Sequence, residues 1–263
     1  MKSAAFQYLR ADTIAEAIAL LDEETRPFLG GQSLAPTMNL RLARPARLLD
    51  LKALGLRAVE ADGQRFHLGA GITHAAIEDG GFEDFSAGLL PDVARGIAYR
   101  GVRNRGTLGG SLAHADPAAD WLTMLMLLGG TVRTNTRAIA AQDFCLGAYA
   151  TALAPNEILT GCDFPRLSAQ ARWGWKKINR KTGAFADALG AAVLDGALAR
   201  VAVGAIDAAP MLLPETSAAL AAGGPDAALA RARDECEGLL AHLDPPARAL
   251  RAVAVTRALE ALR

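Results

Sequence analysis

Two stretches of this chain pair glycines beside small hydroxyl residues, a composition suited to holding phosphate oxygens. The longer runs from Val102 to Asp120 and reads VRNRGTLGGSLAHADPAAD. Its glycines, Gly106, Gly109 and Gly110, would let the backbone approach a ligand and take positive φ, so that successive N–H groups point into one concavity. The second, Phe28 to Pro36, reads FLGGQSLAP and also runs through Ser, Leu and Ala into a helix-compatible stretch. One Gly-Gly pair alone is an ordinary tight turn. Two alike in sequence are suited to closing on the two ends of one diphosphate. The arginines between Arg100 and Arg105 could serve one anionic ligand. Asp116 reads as a helix N-cap with Pro117 in the first helical position, which leaves Asp120, one turn on, to accept hydrogen bonds from a ribose or similar hydroxyl.

Other chemistries fit less well. Gly31-Gln32-Ser33-Leu34-Ala35 and Gly109-Gly110-Ser111-Leu112-Ala113 approach a serine nucleophile elbow, but both end in alanine, and RNRGT ahead of the second is a poor buried strand. A serine hydrolase using Ser111 is a minor alternative. Leu68 to His74, LGAGITH, approaches a dinucleotide-binding loop. There His74 replaces the third glycine, and Thr73 reads better as an N-cap for residues 75–78. His67, His74, His114 and His242 lack metal-ligand spacing, and Cys145, Cys162 and Cys236 lie far apart, so no metal site is expected. In Trp173 to Lys181, WGWKKINRK, the lysines are either solvated or include one that reaches the ligand.

With 28 basic and 28 acidic residues among 263, the chain lacks the positive excess of a nucleic-acid binder, and membrane contact is at most peripheral. The start, MKSAAFQYLRAD, has no apolar signal run, and a soluble cytoplasmic protein is expected.

The elements that position these residues follow from periodicity. A strand at Phe6 to Leu9, a helix capped by Asp12 or Thr13, and a strand around Asp50 suggest a β-α-β opening, with Pro27 ending its first unit. Asp62-Gly63 marks a hairpin between strands 57–60 and 65–68, and Asp195-Gly196 marks another. A helix covers 89–99, and another opens at Pro117 after the glycine loop. Strands at 131–133 and 158–164 precede a new unit near Ser168. There Trp173, Trp175 and Ile178 alternate as a strand with one buried face. Alanine-rich helices broken at Gly223-Gly224-Pro225 and Pro245-Pro246 close the chain. The fold class is α+β.

Together GGQSL, RNRGTLGGSLAHADPAAD, APNEIL and the W-K-K-x-x-R-K segment resemble the medium, FAD-binding subunit of molybdenum hydroxylases, the family of xanthine dehydrogenase and aerobic carbon monoxide dehydrogenase. The resemblance implies an FAD-binding fold of the p-cresol methylhydroxylase / vanillyl-alcohol oxidase type over residues 1–167, in two subdomains of about 1–53 and 54–167. A small α+β carboxyl-terminal domain of the carbon monoxide dehydrogenase flavoprotein type would occupy 168–263. It also implies that Phe28, Leu29, Gly30, Gly31, Gln32, Ser33, Leu34 and Ala35, with Thr107, Leu108, Gly109, Gly110 and Ser111, wrap the FAD diphosphate. Asp120 would lie on the nucleotide side. Ile97, Leu159 and Lys176 would be further flavin neighbours, with Lys177 an alternative to Lys176. Ala184 departs from the aspartate that many relatives carry.

By the same resemblance, electrons come from a molybdenum cofactor on a large subunit through two [2Fe-2S] clusters on a small subunit, in a dimer of heterotrimers. They reach FAD here and leave for an external acceptor. No catalytic side chain is expected. A flavin-free assembly module of the same complex is the other reading. Bulky residues at Gly109 and Gly110 are expected to expel FAD from an otherwise folded chain.

Overall fold

In the computed structural model, which describes residues 2–263, the first three strands form a parallel sheet. Gln7–Arg10, Thr25–Phe28 and Arg47–Asp50 are joined by helices Ile14–Ala19 and Leu34–Asn39, and the last strand lies in the middle. Thr13 opens the first helix with a capping box: its hydroxyl accepts the Glu16 N–H, and the Glu16 carboxylate accepts the Thr13 N–H. Pro27 does not end the unit but lies inside Thr25–Phe28. That strand is at the sheet edge, where a residue without an N–H is tolerated.

The second sheet has five strands in the order Val59–Ala61, Arg65–Gly69, Leu159–Pro165, Thr131–Thr134 and Ala138–Ala140, each antiparallel to its neighbour. Its first hairpin turns at Asp62-Gly63, where the Asp62 carboxylate accepts the N–H groups of Gln64 and Arg65. Phe66, Leu68, Val132, Cys162 and Phe164 form a buried core with helices Leu89–Arg95, Leu108–His114 and Asp120–Leu128. Glu157, from the APNEIL stretch, joins two connections by accepting from Arg137, Thr134, Thr136 and the Ala154 N–H. The Arg137 guanidinium holds the Glu157 carboxyl far below the usual carboxylate range.

The stretch from Val102 to Asp120 departs from the expected loop. It contains helix Leu108–His114, and the next helix starts at Asp120 instead of Pro117. Two hydrogen bonds explain the later start. The Asp116 carboxylate accepts the Ala118 N–H at 2.9 Å, closing a local turn. The Pro117 carbonyl accepts the Ala205 N–H at 3.2 Å, which draws it away from a helical partner.

The third sheet, Arg172–Ile178, Ala188–Asp195, Leu198–Gly204 and Met211–Leu212, is antiparallel. One face carries helices Pro214–Leu239 and Pro245–Glu260, while the other meets Leu89–Arg95 and Asp120–Leu128. The first of the two terminal helices kinks at Gly224, φ 72° and ψ −165°, just ahead of Pro225. Trp173 and Trp175 share a face as expected, but the row continues to Lys177 and not to Ile178, as the two-residue period requires. Trp173 donates to the Ala87 carbonyl at 2.7 Å, and Trp175 donates to Asp92 at 2.8 Å. No helix among the described residues is long and apolar enough to cross a membrane.

The last helix lies directly on glycine. A Cβ at Gly190 would be 2.3 Å from the Ala254 carbonyl carbon, and one at Gly174 would be 2.2 Å from the Ala258 oxygen. Gly190→Val is therefore expected to cost about 3 kcal/mol by overpacking and to lower the thermal unfolding midpoint by about 10 °C, as scanning calorimetry of the variant would measure.

Candidate functional site

The fold brings the two glycine segments into contact. A Cβ on Gly30 would be 2.1 Å from the Arg105 carbonyl oxygen and 3.0 Å from Gly106 Cα. Gly31, at φ 66°, then turns the chain toward helix Leu34–Asn39. Gln32 steadies the turn by donating from Nε2 to the Gly30 carbonyl at 3.0 Å. Among the described residues, the amides of residues 30–34 have no backbone acceptor. Donors left without a partner in a glycine turn are the chemistry that an anion-binding concavity needs.

The second segment works differently from the sequence expectation. Its amides are already engaged: Leu108 and Gly109 donate to the Ile72 and Ala70 carbonyls, both at 2.9 Å, and Gly110 donates to the Thr107 hydroxyl at 3.1 Å. Ser111 donates to the Thr107 carbonyl at 3.0 Å. Gly106, Gly109 and Gly110 all have negative φ. Gly109 is required for close packing, since a Cβ there would be 2.5 Å from that of Ala70. A bulky residue at Gly109 would thus break the core, which corrects the expectation that the chain stays folded. Ser33 makes no side-chain cap bond, and His114 packs on Tyr149 with ring centroids 5.3 Å apart. Ser111 lies within the helix and gains no general base from this arrangement.

Between the segments is a cavity of about 460 Å³. Phe28, Leu34, Met38, Leu48 and Leu51 supply an apolar wall, and Lys52, Arg57 and Arg105 supply positive charge. None of its described lining residues is acidic. Lys52 lies over the Phe28 ring, 5.1 Å from its centroid. Of the arginines expected to serve an anion, only Arg105 is in this wall. Arg100 pairs with Asp79 and Glu78, while buried Arg103 is bound to Glu78 and to the Ile97 and Ala98 carbonyls. Lys52 and Arg57 carried no motif that could have marked them.

A second group of expected residues meets on the other side. Asp120, 4% exposed, accepts from Lys177 Nζ at 2.9 Å through Oδ2. Lys177 also donates to the Gly96 carbonyl at 3.2 Å, beside Ile97. Asp120 Oδ1 is buried and has no partner among the described residues. Burial raises the pKa of the Asp120 carboxyl, opposed by the Lys177 charge. Lys176 is exposed and alternates to the opposite face of its strand, so the lysine that reaches Asp120 is Lys177. Leu159 is buried in the core, with Ile97 packed against it in part. The Ala184 carbonyl accepts from Asn179 at 3.2 Å within the following turn.

His74 supports the second segment from below. Its N–H donates to the Gly106 carbonyl at 2.9 Å, and its Nδ1 accepts from Trp121 Nε1 at 3.1 Å. Burial first, and Arg103 second, lower its pKa to about 4. Among the described residues no group of three or more His, Cys, Asp or Glu is arranged to hold a metal.

Residues 4–167 match the family described as FAD binding domain in molybdopterin dehydrogenase. The chain is 38% identical to the nicotine 6-hydroxylase medium subunit of Paenarthrobacter nicotinovorans over 208 residues, 76% of this chain and 73% of that one. It is also 38% identical to the carbon monoxide dehydrogenase medium chain of Afipia carboxidovorans over 201 residues, 72% and 68% of the two chains. A chain of reconstituted CO dehydrogenase from Oligotropha carboxidovorans superposes with a TM-score of 0.91 at 30% identity, covering 100% of this chain and 99% of that one.

The His74 environment gives a pH dependence. Folded His74 holds its proton more weakly than the unfolded residue, so between the ordinary value of 6.5 and about 4 the unfolded chain binds more protons. Its contribution is complete above that window and is lost as pH falls through it, about 3 kcal/mol in all. Chemical denaturation of wild type and His74→Gln, which keeps an acceptor for Trp121, should show the variant losing less stability from pH 6.5 to pH 4. Parallel pH profiles would refute this assignment.

Proposed function

Because this chain belongs to the family of FAD-binding domains of molybdopterin dehydrogenases, we propose that it takes electrons from [2Fe-2S] clusters of a small subunit and passes them to an external acceptor. A large subunit with a molybdenum cofactor completes the heterotrimer, two of which pair in the cytoplasm. On this reading the chain divides at 167/168 into a flavin domain and a carboxyl-terminal domain.

The observation that carries the proposal is the cavity between the glycine segments. Its free amides at residues 30–34, its apolar wall and its cations, Arg57 and Arg105 without a carboxylate partner among the described residues and Lys52 beside Asp50 at 3.4 Å, match the diphosphate and adenosine of FAD. Phe28, Leu29, Gly30, Gly31, Gln32, Leu34, Ala35 and Thr107 would hold that half, with Ser33 contributing its amide. Leu108, Gly109, Gly110, Ser111 and Leu159 would fix the wall behind it. Asp120 would lie on the nucleotide side, and Ile97 and the lysine of strand Arg172–Ile178 would be further flavin neighbours. Bound FAD supplies the redox chemistry. The protein's residues bind it, orient it and exclude water, and none acts as an acid or base.

Purified chain should show flavin absorbance bands and release near-stoichiometric FAD on heating. Gly30→Val drives a side chain into the Arg105 carbonyl and should weaken FAD binding at least ~10-fold, about 1.4 kcal/mol or more. A colourless chain that takes up no added FAD would overturn the reading and leave the flavin-free assembly module in its place.

A further inference from the structure

We infer that Thr73 is a further binding residue for the FAD diphosphate, its hydroxyl donating to a phosphate oxygen beside the hydroxyl of Thr107. The inference rests on the FAD reading above and adds to it a side chain from the Leu68 to His74 stretch, LGAGITH. The backbone sets the two threonines side by side. They face each other in an isolated antiparallel bridge, flanked by bonds from the His74 N–H to the Gly106 carbonyl and from the Leu108 N–H to the Ile72 carbonyl, both at 2.9 Å. Thr73 and Thr107 are therefore a non-hydrogen-bonded pair, the kind in which Cα atoms approach to about 4.5 Å and the side chains lie together on one side. Both residues line the cavity between the glycine segments. Thr73 cannot drift from it, because Gly71, two residues back, donates to the Leu56 carbonyl and lies so close that a Cβ there would be 2.7 Å from that oxygen.

Each hydroxyl is half used, and in the same way. Thr73 Oγ1 accepts the Ala76 N–H and Thr107 Oγ1 accepts the Gly110 N–H, each at 3.1 Å, and neither donates its own hydrogen to an acceptor among the described residues. A hydroxyl carries one donor besides its acceptor lone pairs, so the amide orients the oxygen and leaves the O–H free. Two free O–H groups thus border a space that also holds the unengaged amides of residues 30–34 and the side chains of Arg57 and Arg105. No described carboxylate lines that space to receive them. Donors of three kinds converging without an acceptor suit a ligand rich in charged acceptor oxygens, which a diphosphate is.

Full-length wild type, Thr73→Ser, Thr73→Val and Thr73→Asp would be titrated with FAD and, separately, with ADP, and each ligand-free chain would be unfolded by heat. Serine keeps both the cap and the donor, so both affinities should stay within about 3-fold. Valine removes both, and should lower the unfolding midpoint by a few degrees and weaken both ligands about 5-fold or more. Aspartate separates the two roles. It accepts the Ala76 N–H as well as threonine does, so the midpoint should move by no more than about 2 °C. It cannot donate and it repels phosphate, so both ligands should bind about 10-fold more weakly or worse, the scale of one hydrogen bond to a charged group. A ribose hydroxyl in the same place would instead donate to the new carboxylate. Affinity unchanged or raised in Thr73→Asp, a loss confined to FAD, or a loss in Thr73→Ser as large as that in Thr73→Val would each overturn the inference. A wild-type chain that binds no FAD would instead refute the FAD reading itself, and this inference with it.

Discussion

The contact between Gly30 and the Arg105 carbonyl sets the distance on which the rest of the site depends. The two backbones approach so closely that a Cβ on Gly30 would be 2.1 Å from that oxygen. Behind Arg105, Gly106 rests on the His74 ring and Gly109 rests on Ala70, so the second segment cannot retreat. The first segment is held by its strand, which pairs with Arg47–Asp50. Each backbone is braced by its own sheet, and the cavity is the space left between them. This division also explains the unequal use of amides: the braced segment spends its N–H groups on its support, and the turning segment keeps its own free.

Charge follows the same logic. The chain as a whole is balanced at 28 basic and 28 acidic residues, yet the cavity wall gathers Lys52, Arg57 and Arg105 with no described carboxylate. Nearby, Arg100 and Arg103 are neutralised by Glu78 and Asp79. The field that an anion would meet is thus made locally, by pairing Lys52 with Asp50, and Arg100 and Arg103 with Glu78 and Asp79, while Arg57 and Arg105 have no carboxylate partner among the described residues, and total charge gives no hint of it.

Local chemistry made much of the fold legible in the sequence. Thr13 and Thr73 cap the helices they precede, and both Asp-Gly pairs turn hairpins, because these devices need only their own neighbours. The glycine segments were recognisable as a pair for the same reason. What escaped was decided at long range. Gly109 and Gly110 read as loop, but Thr107 caps them into a helix that the second sheet supports. Pro117 reads as a helix start until the Ala205 N–H, just past the end of strand Leu198–Gly204, takes its carbonyl. Between Lys176 and Lys177, only the strand's orientation on its neighbours selects the one that reaches Asp120.

The row Trp173, Trp175 and Lys177 also has a consequence in time. Asp120 finds its cation 57 residues further along the chain, on a strand that needs Ala188–Asp195 beside it. A chain growing from its amino terminus can pair the three strands of the first sheet, the last of which ends at Asp50, long before that strand is made, whereas the second sheet waits for Leu159–Pro165, close ahead of it. Until Lys177 arrives, Asp120 faces no opposite charge in the space that it closes. During synthesis Asp120 therefore stays without its cation until both Arg172–Ile178 and the strand beside it, Ala188–Asp195, have been made.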